Sequence, residues 1–224
     1  MPGFSSYTAR KILDHVTGKT AMGALPTAYI ALFTVAGIDD GTGFTEVAGS
    51  SYARVTTSGA TWNAATGTGP SYSTNAAGIT FPAPSGSWGT VLAFGLYDDP
   101  TAGNLMDWDY LGPGLWLPVT LSSASPGVWT VPAHGYAASD SVVYTTEYGG
   151  TAPGLVGGSG ALSGTLTVQA ASLVTDSFNV KNGSTAVNTN TPGDGMVRKI
   201  TPIAIGISSG AMSFAAGQLT LYCT

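Results

Sequence analysis

Two carboxylates, Asp107 and Asp109, stand two residues apart in the apolar segment NLMDWDYL. Residues two apart in a β-strand point the same way, so a strand here is expected to place Leu105, Asp107 and Asp109 on one face. A glycosidase needs two carboxylates that face each other across a cleft, and a single strand does not supply that arrangement. The spacing therefore favours a charged outer face over catalysis.

A second acidic group, Asp39, Asp40 and Glu46, lies in the glycine-rich segment GIDDGTGFTE. Carboxylates are the ligands that calcium prefers, but this spacing matches no EF-hand loop. Asp and Gly are also the residues that tight turns require. Solvated turn residues are therefore the favoured interpretation, and a site for a hard cation is the alternative.

The remaining chemistry-bearing residues form no recognisable catalytic pattern. His15 lies in a helical segment and His134 before a glycine, where a surface histidine and a packing or turn residue are expected. The nucleophile elbow, the phosphate-binding loop, the dinucleotide fingerprint and the zinc motif HExxH are absent. Cys223 is the single cysteine, so no intrachain disulfide forms. We expect no enzyme activity, no cofactor and no metal.

Four aromatic residues in the second half of the chain are candidates for stacking on sugar rings. They are Trp116, Trp129, Tyr144 and Tyr148. Large aromatic side chains equally serve protein cores and protein interfaces. The sequence leaves both roles open and favours the core or interface.

Charge is scarce and unevenly distributed along the 224 residues. Charged residues make up 8% of the chain and the net charge is −5. A surface so poor in charge suggests contact with other subunits, although a neutral Ser/Thr-rich surface is an equal alternative. Nucleic-acid binding needs clustered cations, and residues 55–180 contain none. The Lys and Arg residues are Arg10, Lys11, Lys19, Arg54, Lys181, Arg198 and Lys199.

The segment SSYTARKILDHVT, residues 5–17, is the one clear helix pattern. Ser5 or Ser6 is expected to cap its start and Gly18 to end it. A helix this short needs tertiary packing, so its apolar stripe should dock on the β-core or on a neighbouring subunit. We predict interface contacts from Arg10, Lys11, Ile12 and Val16.

The other segments predict β-strands closed by turns. Residues 79–97 hold two apolar segments, 79–81 and 88–97, with the pattern of a strand pair. The second segment is almost continuously apolar and is expected to be the central strand of the core, with both faces covered. Further strands are predicted over residues 28–35 and 52–57. The last strands, near 200–207 and 213–221, should return to the first β-unit.

Composition changes after residue 118, where strands separated by glycine-rich turns begin a second unit. The predicted organisation is a discontinuous first domain, residues 1–118 and 201–224, with residues 119–200 inserted. No apolar run is long enough to span a membrane and no secretion signal is evident, so assembly in a cytoplasm is expected.

The first unit resembles a family of tailed-phage virion proteins known as tail-fibre, minor tail or capsid decoration proteins. The resemblance covers residues 1–118 and 201–224. Its motifs, in order, are KILDHVTG, PTAYIALFT, GTGFTEVAGSSYAR, NAAGITFPAPSGSWGTV, FGLYD, AGNLMDW and FAAGQLTLY. The inserted unit is similar to a small β-barrel module of phage fibres, through LSSASPGVWT, AHGYAASDSVVY, TAPGL and TDSFNVKNGSTAVNT. It departs from that module where Ser139-Asp140 replaces the usual Gly-Asp turn.

The resemblance implies an all-β, jelly-roll-like antiparallel sandwich with one short N-terminal helix and a small inserted β-domain. It also implies a homotrimeric structural protein of the virion, without catalytic residues, assembled in the bacterial host cytoplasm. The leading hypothesis is a capsid decoration protein that binds the major capsid protein on the outer shell and bridges capsomers. The alternative is a tail-fibre or tail-tip protein whose inserted module binds a host receptor or surface glycan.

Overall fold

The protein is built from short antiparallel strands and one N-terminal α-helix, as predicted for the all-β class. The computed structural model describes residues 3–23, 27–68, 71–112, 114–147 and 149–223. The chain divides into two compact units. Unit 1 is Met1–Leu111 with Pro202–Thr224, and unit 2 is Gly112–Thr201.

The first boundary differs from the predicted one at residue 118. Strand β10, Leu117–Leu121, pairs along its whole length with β17, Gly193–Ile200. Leu117 lies opposite Val197 and Pro118 opposite Met196, so both residues already belong to the sheet of unit 2. The sequence does not indicate that unit 2 starts this early, because the segment LGPGLWLP is rich in glycine and proline, which are typical of connections.

Unit 1 contains α1 and twelve strands, numbered here in chain order with those of unit 2. The helix α1 is Ser6–Val16; the strands are β1 (Gly3–Phe4), β2 (Ala28–Val35), β3 (Thr45–Glu46), β4 (Val55–Thr57), β5 (Ser71–Thr74), β6 (Ile79–Thr80), β7 (Gly89–Val91), β8 (Ala93–Tyr97), β9 (Leu105–Tyr110), β18 (Ile203–Ile205), β19 (Ser213–Phe214) and β20 (Thr220–Cys223).

Six of these strands form the main sheet of unit 1, in the order β1-β9-β8-β2-β3 with β4 also paired to β2. Its central strand β8 is buried on both faces, as the continuous apolar run predicted. Phe94 and Leu96 pack into the larger core cluster, while Ala93 packs with Phe33 on the opposite face. Gly95 leaves room for that packing, because a Cβ there would lie 2.8 Å from the Phe33 ring.

Three two-stranded sheets cover the larger core cluster, and each pairs a late strand with an early one. These pairs are β5 with β20, β6 with β19 and β7 with β18. The prediction that the terminal strands return to the first β-unit is therefore confirmed. The predicted pairing of the segments 79–81 and 88–97 with each other is wrong. The second segment is divided into β7 and β8. Strand β6 pairs with β19 and β7 with β18, whereas β8 pairs with β2 and β9.

The helix α1 agrees closely with the predicted 5–17. The Ser5 hydroxyl accepts a hydrogen bond from the Thr8 N–H, and Gly18 follows in the left-handed region at φ 72°. None of its residues is fully buried, and Leu13 and Val16 are 62% and 76% exposed. These two residues therefore do not dock on the β-core, and the alternative, docking on a neighbouring subunit, stays a prediction. Among the described residues, no helix is long and apolar enough to cross a membrane.

Besides β10 and β17, the strands of unit 2 are β11 (Trp129–Thr130), β12 (Ser141–Thr145), β13 (Leu166–Val168), β14 (Ser177–Phe178), β15 (Val180–Asn182) and β16 (Thr185–Ala186). They form one eight-stranded sheet in the order β14-β11-β10-β17-β12-β13-β15-β16. The sheet curls back on itself beyond β16. There Gly127 N–H donates to Val187 O and Thr189 N–H donates to Ala124 O, both at 2.9 Å.

The turn before β12 shows why a glycine would suit it. Ser139 adopts a left-handed conformation with φ 71°, which glycine enters without strain. Ala137 N–H donates to the Asp140 carboxylate at 2.7 Å, and Asp140 pairs with Lys199 at 2.8 Å. Ser139 therefore has a backbone conformation that glycine commonly adopts, and the side-chain contacts of Asp140 hold the turn.

Candidate functional site

A cavity of about 660 Å³ lies between α1 and the strands of unit 1. One wall is the face of α1 that carries two pairs of residues at i,i+4 spacing, Tyr7 with Lys11 and Thr8 with Ile12. Another wall is formed by Met106 and Asp107 of β9, and further walls come from β5, β20 and residues 20–23. Most of the lining is apolar, so the cavity is suited to an apolar group.

The cavity exists because α1 is attached chiefly at its N-terminal end. Ser5 N–H donates to Met106 O at 3.0 Å, and its hydroxyl donates to Leu105 O. Ser6 N–H donates to Asp39 O at 2.7 Å, and the Tyr7 hydroxyl donates to the Asp98 carboxylate at 3.1 Å. Further along, the half-buried Ile12 faces the cavity.

Asp107 and Asp109 are buried, so the predicted charged outer face is wrong. Their exposed fractions are 4% and 2%. Asp107 lies directly opposite Leu96 and Asp109 opposite Phe94, which places both carboxyl groups on the face of the larger core cluster.

A β-bulge explains why the predicted alternation fails. Tyr97 pairs with Leu105 while Leu96 pairs with Asp107, so one extra residue, Met106, is inserted in β9. An extra residue reverses the faces of the residues beyond it. Leu105 consequently packs with Trp108 on the opposite face, and it does not share a face with the two aspartates.

The environment of Asp107 favours its neutral form. Burial raises the pKa of Asp107 well above its ordinary range, and the negative charges of Asp109 and Asp39 raise this pKa further. Its Oδ1 atom has no hydrogen-bond partner among the described residues. A buried polar atom without a partner is costly to stability, so Asp107 is the functional candidate of this cavity.

Replacing Asp107 by asparagine is expected to raise the free energy of unfolding by about 1–3 kcal/mol at pH 7. The folded-state pKa is raised, so the wild-type protein loses stability as the pH rises above the unfolded-state pKa near 3.8. Asparagine has no charge to bury and escapes this loss. At pH 3 the two proteins should be almost equally stable, because Asp107 is then protonated in both states. Urea unfolding at both pH values measures the difference, and a gain of equal size at pH 3 and pH 7 would contradict the assignment.

The three acidic residues of the glycine-rich loop contact different partners. Asp40 is the expected turn residue: its Oδ1 accepts from the Thr42 N–H and hydroxyl, which lowers the pKa of Asp40. Asp39 instead accepts from the Trp108 indole N–H at 2.9 Å. Glu46 is half-buried and pairs with Arg54. The solvated-turn interpretation is therefore wrong for Asp39 and Glu46, which connect separate parts of unit 1.

Arg54 is the centre of a polar network that sequence patterns did not indicate. Its guanidinium forms two hydrogen bonds to the Glu46 carboxylate, at 2.9 and 2.7 Å, and stacks on the Tyr97 ring at 3.6 Å. It also donates to the carbonyl oxygens of Asp99 and Ala102 at 2.8 and 2.7 Å. The side chain of Arg54 is only 7% exposed, so this network is part of the packed interior.

The aromatic candidates of unit 2 do not form a common surface. Trp129 is fully buried and packs against Phe178, so it has the core role. Tyr144 is half-buried, contacts the Trp129 ring edge-on and donates to Asp194 O at 2.8 Å. Burial raises the pKa of Tyr144 to about 12. Trp116 is half-buried, and Tyr148 lies outside the described residues.

Both histidines have structural surroundings, as expected. His134 is buried, its Nε2 bonds with Val174 O at 2.9 Å, and its Nδ1 accepts from the Tyr136 N–H. His15 is exposed near the end of α1, and its Nδ1 accepts from the Met22 N–H at 3.2 Å.

The interface residues predicted on α1 fall into two groups. Lys11 and Ile12 line the cavity, and the Lys11 ammonium lies 4.9 Å from the centre of the Tyr7 ring. Arg10 and Val16 are exposed and do not line it. Contacts of these four residues with another subunit remain a prediction.

Comparison with known proteins gives one family match. The model of the family described as podophage GP4 fiber I protein gp80 matches residues 3–113. No curated protein matches the sequence. Among solved structures, the phage phi92 endosialidase aligns with a TM-score of 0.27 and 13% identity, over 62% of this chain and 20% of that chain. This chain thus spans about a fifth of that protein's length.

The family match supports a phage virion protein of the tail-fibre type. The matched segment contains α1, strands β1 to β9, the Arg54 network and Asp107. The predicted resemblance is therefore confirmed at the level of a phage virion protein of the fibre type. Capsid decoration gains no support from the match.

Sequence reasoning singled out Asp107 but placed it on an outer face, and it gave no role to Arg54, which does not line the cavity. A carboxylate in a run of six mostly apolar residues is unusual, and this could have indicated that Asp107 has a special role. The bulge at Met106 that turns Asp107 toward the core could not be predicted from the pattern. Arg54 carried a weaker signal: it is the one cation between Lys19 and Lys181, in a segment that otherwise needs none. An isolated cation in so neutral a chain indicates a specific partner.

Proposed function

We propose that this protein is a tail-fibre component of a phage virion, with unit 1 serving assembly and unit 2 contacting the host surface. The observation that supports the proposal is the match of residues 3–113 to a phage fibre family. This match favours the tail-fibre hypothesis over capsid decoration. Homotrimeric assembly and contacts with other virion proteins belong to the same proposal.

The structure of unit 1 is compatible with a role in assembly. Leu13 and Val16 on α1 are apolar and largely exposed, and covering them would remove apolar surface from water. The chain has few charges to keep copies apart. The proposal includes no catalysis.

Fractionated virions provide the test. We expect mass spectrometry of separated heads and tails to detect the protein in the tail fraction, and antibody-gold labelling to mark the tail. Detection in heads alone would overturn the tail-fibre assignment. The same preparation can be tested for host binding: excess purified full-length protein should reduce phage adsorption to host cells. Unchanged adsorption at saturating protein would overturn the host-contact role while leaving the tail location intact.

A further inference from the structure

The cavity under α1 has the dimensions of a ligand site. Its volume of about 660 Å³ falls within the roughly 300–1,000 Å³ typical of ligand pockets. Ile12, Leu96, Met106 and Leu221 contribute apolar walls, and Tyr72 and Tyr222 contribute two aromatic rings 6.0 Å apart. An occupant must therefore offer mainly apolar surface.

The charges around the cavity determine whether a ligand with a positive or a negative group can bind there. Asp14, Asp98 and Asp107 lie in the wall, and Lys11 is the one cationic residue among the described residues that line it. The Lys11 ammonium is positioned over the Tyr7 ring. The negative charges of Asp39 and Asp109 also act on Asp107. The cavity therefore attracts a cation and disfavours an anion.

Asp107 is the second, independent indication of a ligand. Its carboxyl group is buried in the cavity wall, and its Oδ1 atom lacks a hydrogen-bond partner among the described residues. A cationic donor would supply the missing hydrogen bond, and its charge would favour ionisation of Asp107 on binding. The other wall carboxylate is differently placed, because Asp98 already accepts from Asn104 and Tyr7.

We propose that this cavity binds a segment of a partner polypeptide through a lysine side chain whose ammonium group contacts Asp107. The unbranched stem of lysine suits the apolar walls, whereas the planar guanidinium of arginine needs a wider polar fork. The volume of the cavity exceeds that of one alkylamine. The remaining space, which has apolar walls, can hold the residues on either side of the lysine. This inference concerns unit 1 alone and holds whether the protein is part of the tail or the head.

Small probes of equal length test the chemistry on the full-length protein. We expect hexylamine to bind at least about tenfold more tightly than hexanol at pH 7, because a hydrogen bond to a charged group is stronger than one to a neutral group. Hexanoate should not bind. The blocked tripeptide acetyl-Leu-Lys-Leu-amide should bind more tightly than hexylamine. NMR titration of the ¹⁵N-labelled protein gives each dissociation constant and locates the shifted signals.

Variants separate the cavity from nonspecific binding. Asp107→Asn keeps the shape of the wall and should weaken hexylamine binding by about tenfold. Ala65→Trp places a bulky ring in the wall from an exposed position and should abolish binding of amine and tripeptide alike. Asp40→Asn, an exposed change of the same type in unit 1 outside the wall, should leave binding unchanged.

Three results would overturn the inference. These are equal affinity for hexanol and hexylamine, unchanged amine binding in Asp107→Asn, and no binding of any probe to the wild-type protein. Tighter binding of hexylamine than of the tripeptide would overturn the assignment to a polypeptide. None of these results bears on whether the protein is found in tails, so failure here is distinguishable from failure of the proposed function.

Discussion

Replacing Arg54 by alanine is expected to destabilise unit 1 by about 3–5 kcal/mol, the cost of removing one partner from a buried ion pair. The substitution leaves the half-buried Glu46 carboxylate without its two guanidinium hydrogen bonds. It also removes the donors to Asp99 O and Ala102 O, and it exposes the ring of Tyr97 that the guanidinium covers.

The size of this effect follows from what Arg54 connects. Glu46 also accepts a hydrogen bond from the Tyr52 hydroxyl at 2.9 Å. That hydroxyl in turn accepts a hydrogen bond from the N–H of Leu32, in strand β2 of the main sheet of unit 1. Burial raises the pKa of Tyr52, and the neighbouring Glu46 charge raises it as well. Loss of Arg54 is therefore expected to disturb both the turn at residues 98–103 and strands β2 and β3 of the main sheet of unit 1.

Urea unfolding followed by hydrogen-exchange mass spectrometry measures the loss, because peptides from each unit are resolved separately. Unit 2 should keep its wild-type protection. Arg54→Lys retains the charge but not the paired hydrogen bonds or the planar stacking, and it should recover only part of the lost stability. Arg10→Ala removes an exposed arginine from the same unit and should change stability by less than about 0.5 kcal/mol. A loss under about 1 kcal/mol in Arg54→Ala would show that the network contributes little.

The strand positions were predictable where local patterns and tertiary packing agree. Strand β2 has the bounds expected from its apolar run, and α1 begins at its expected serine cap. Pairing partners were less accessible, because they depend on residues far apart in sequence. The strands β6 and β7 are adjacent in the chain and separated by a short loop, yet they pair with β19 and β18, which follow unit 2.

The candidate site was not predictable from periodicity for a physical reason. A strand pattern assumes strict alternation, and the single extra residue Met106 reverses every face beyond it. That reversal brings Asp107 to the core face and next to the cavity. The polar network around Arg54 was not predictable for another reason: its members lie in four separate segments of the chain, and only the fold brings them together.

Replacing Trp129 by alanine is expected to destabilise unit 2 by about 3–5 kcal/mol, the usual cost of truncating a buried tryptophan. Trp129 has no exposed surface and contacts both Phe178 and Tyr144. The cavity left behind would lie at the centre of the aromatic cluster that also contains Tyr136 and His134. If Trp129 instead served sugar binding, its loss would reduce ligand binding and leave stability nearly unchanged.

Trp129→Phe is the informative companion to that variant. The Trp129 indole N–H is buried and has no hydrogen-bond partner among the described residues, so phenylalanine removes an unsatisfied donor while keeping most of the ring volume. We expect Trp129→Phe to cost clearly less stability than Trp129→Ala. Leu115→Ala changes a side chain of unit 2 that is 64% exposed and should be nearly neutral. Thermal unfolding of the three proteins, with hydrogen exchange to assign the transition to unit 2, distinguishes a core residue from a surface one: equal losses in Trp129→Ala and Leu115→Ala would contradict the core role.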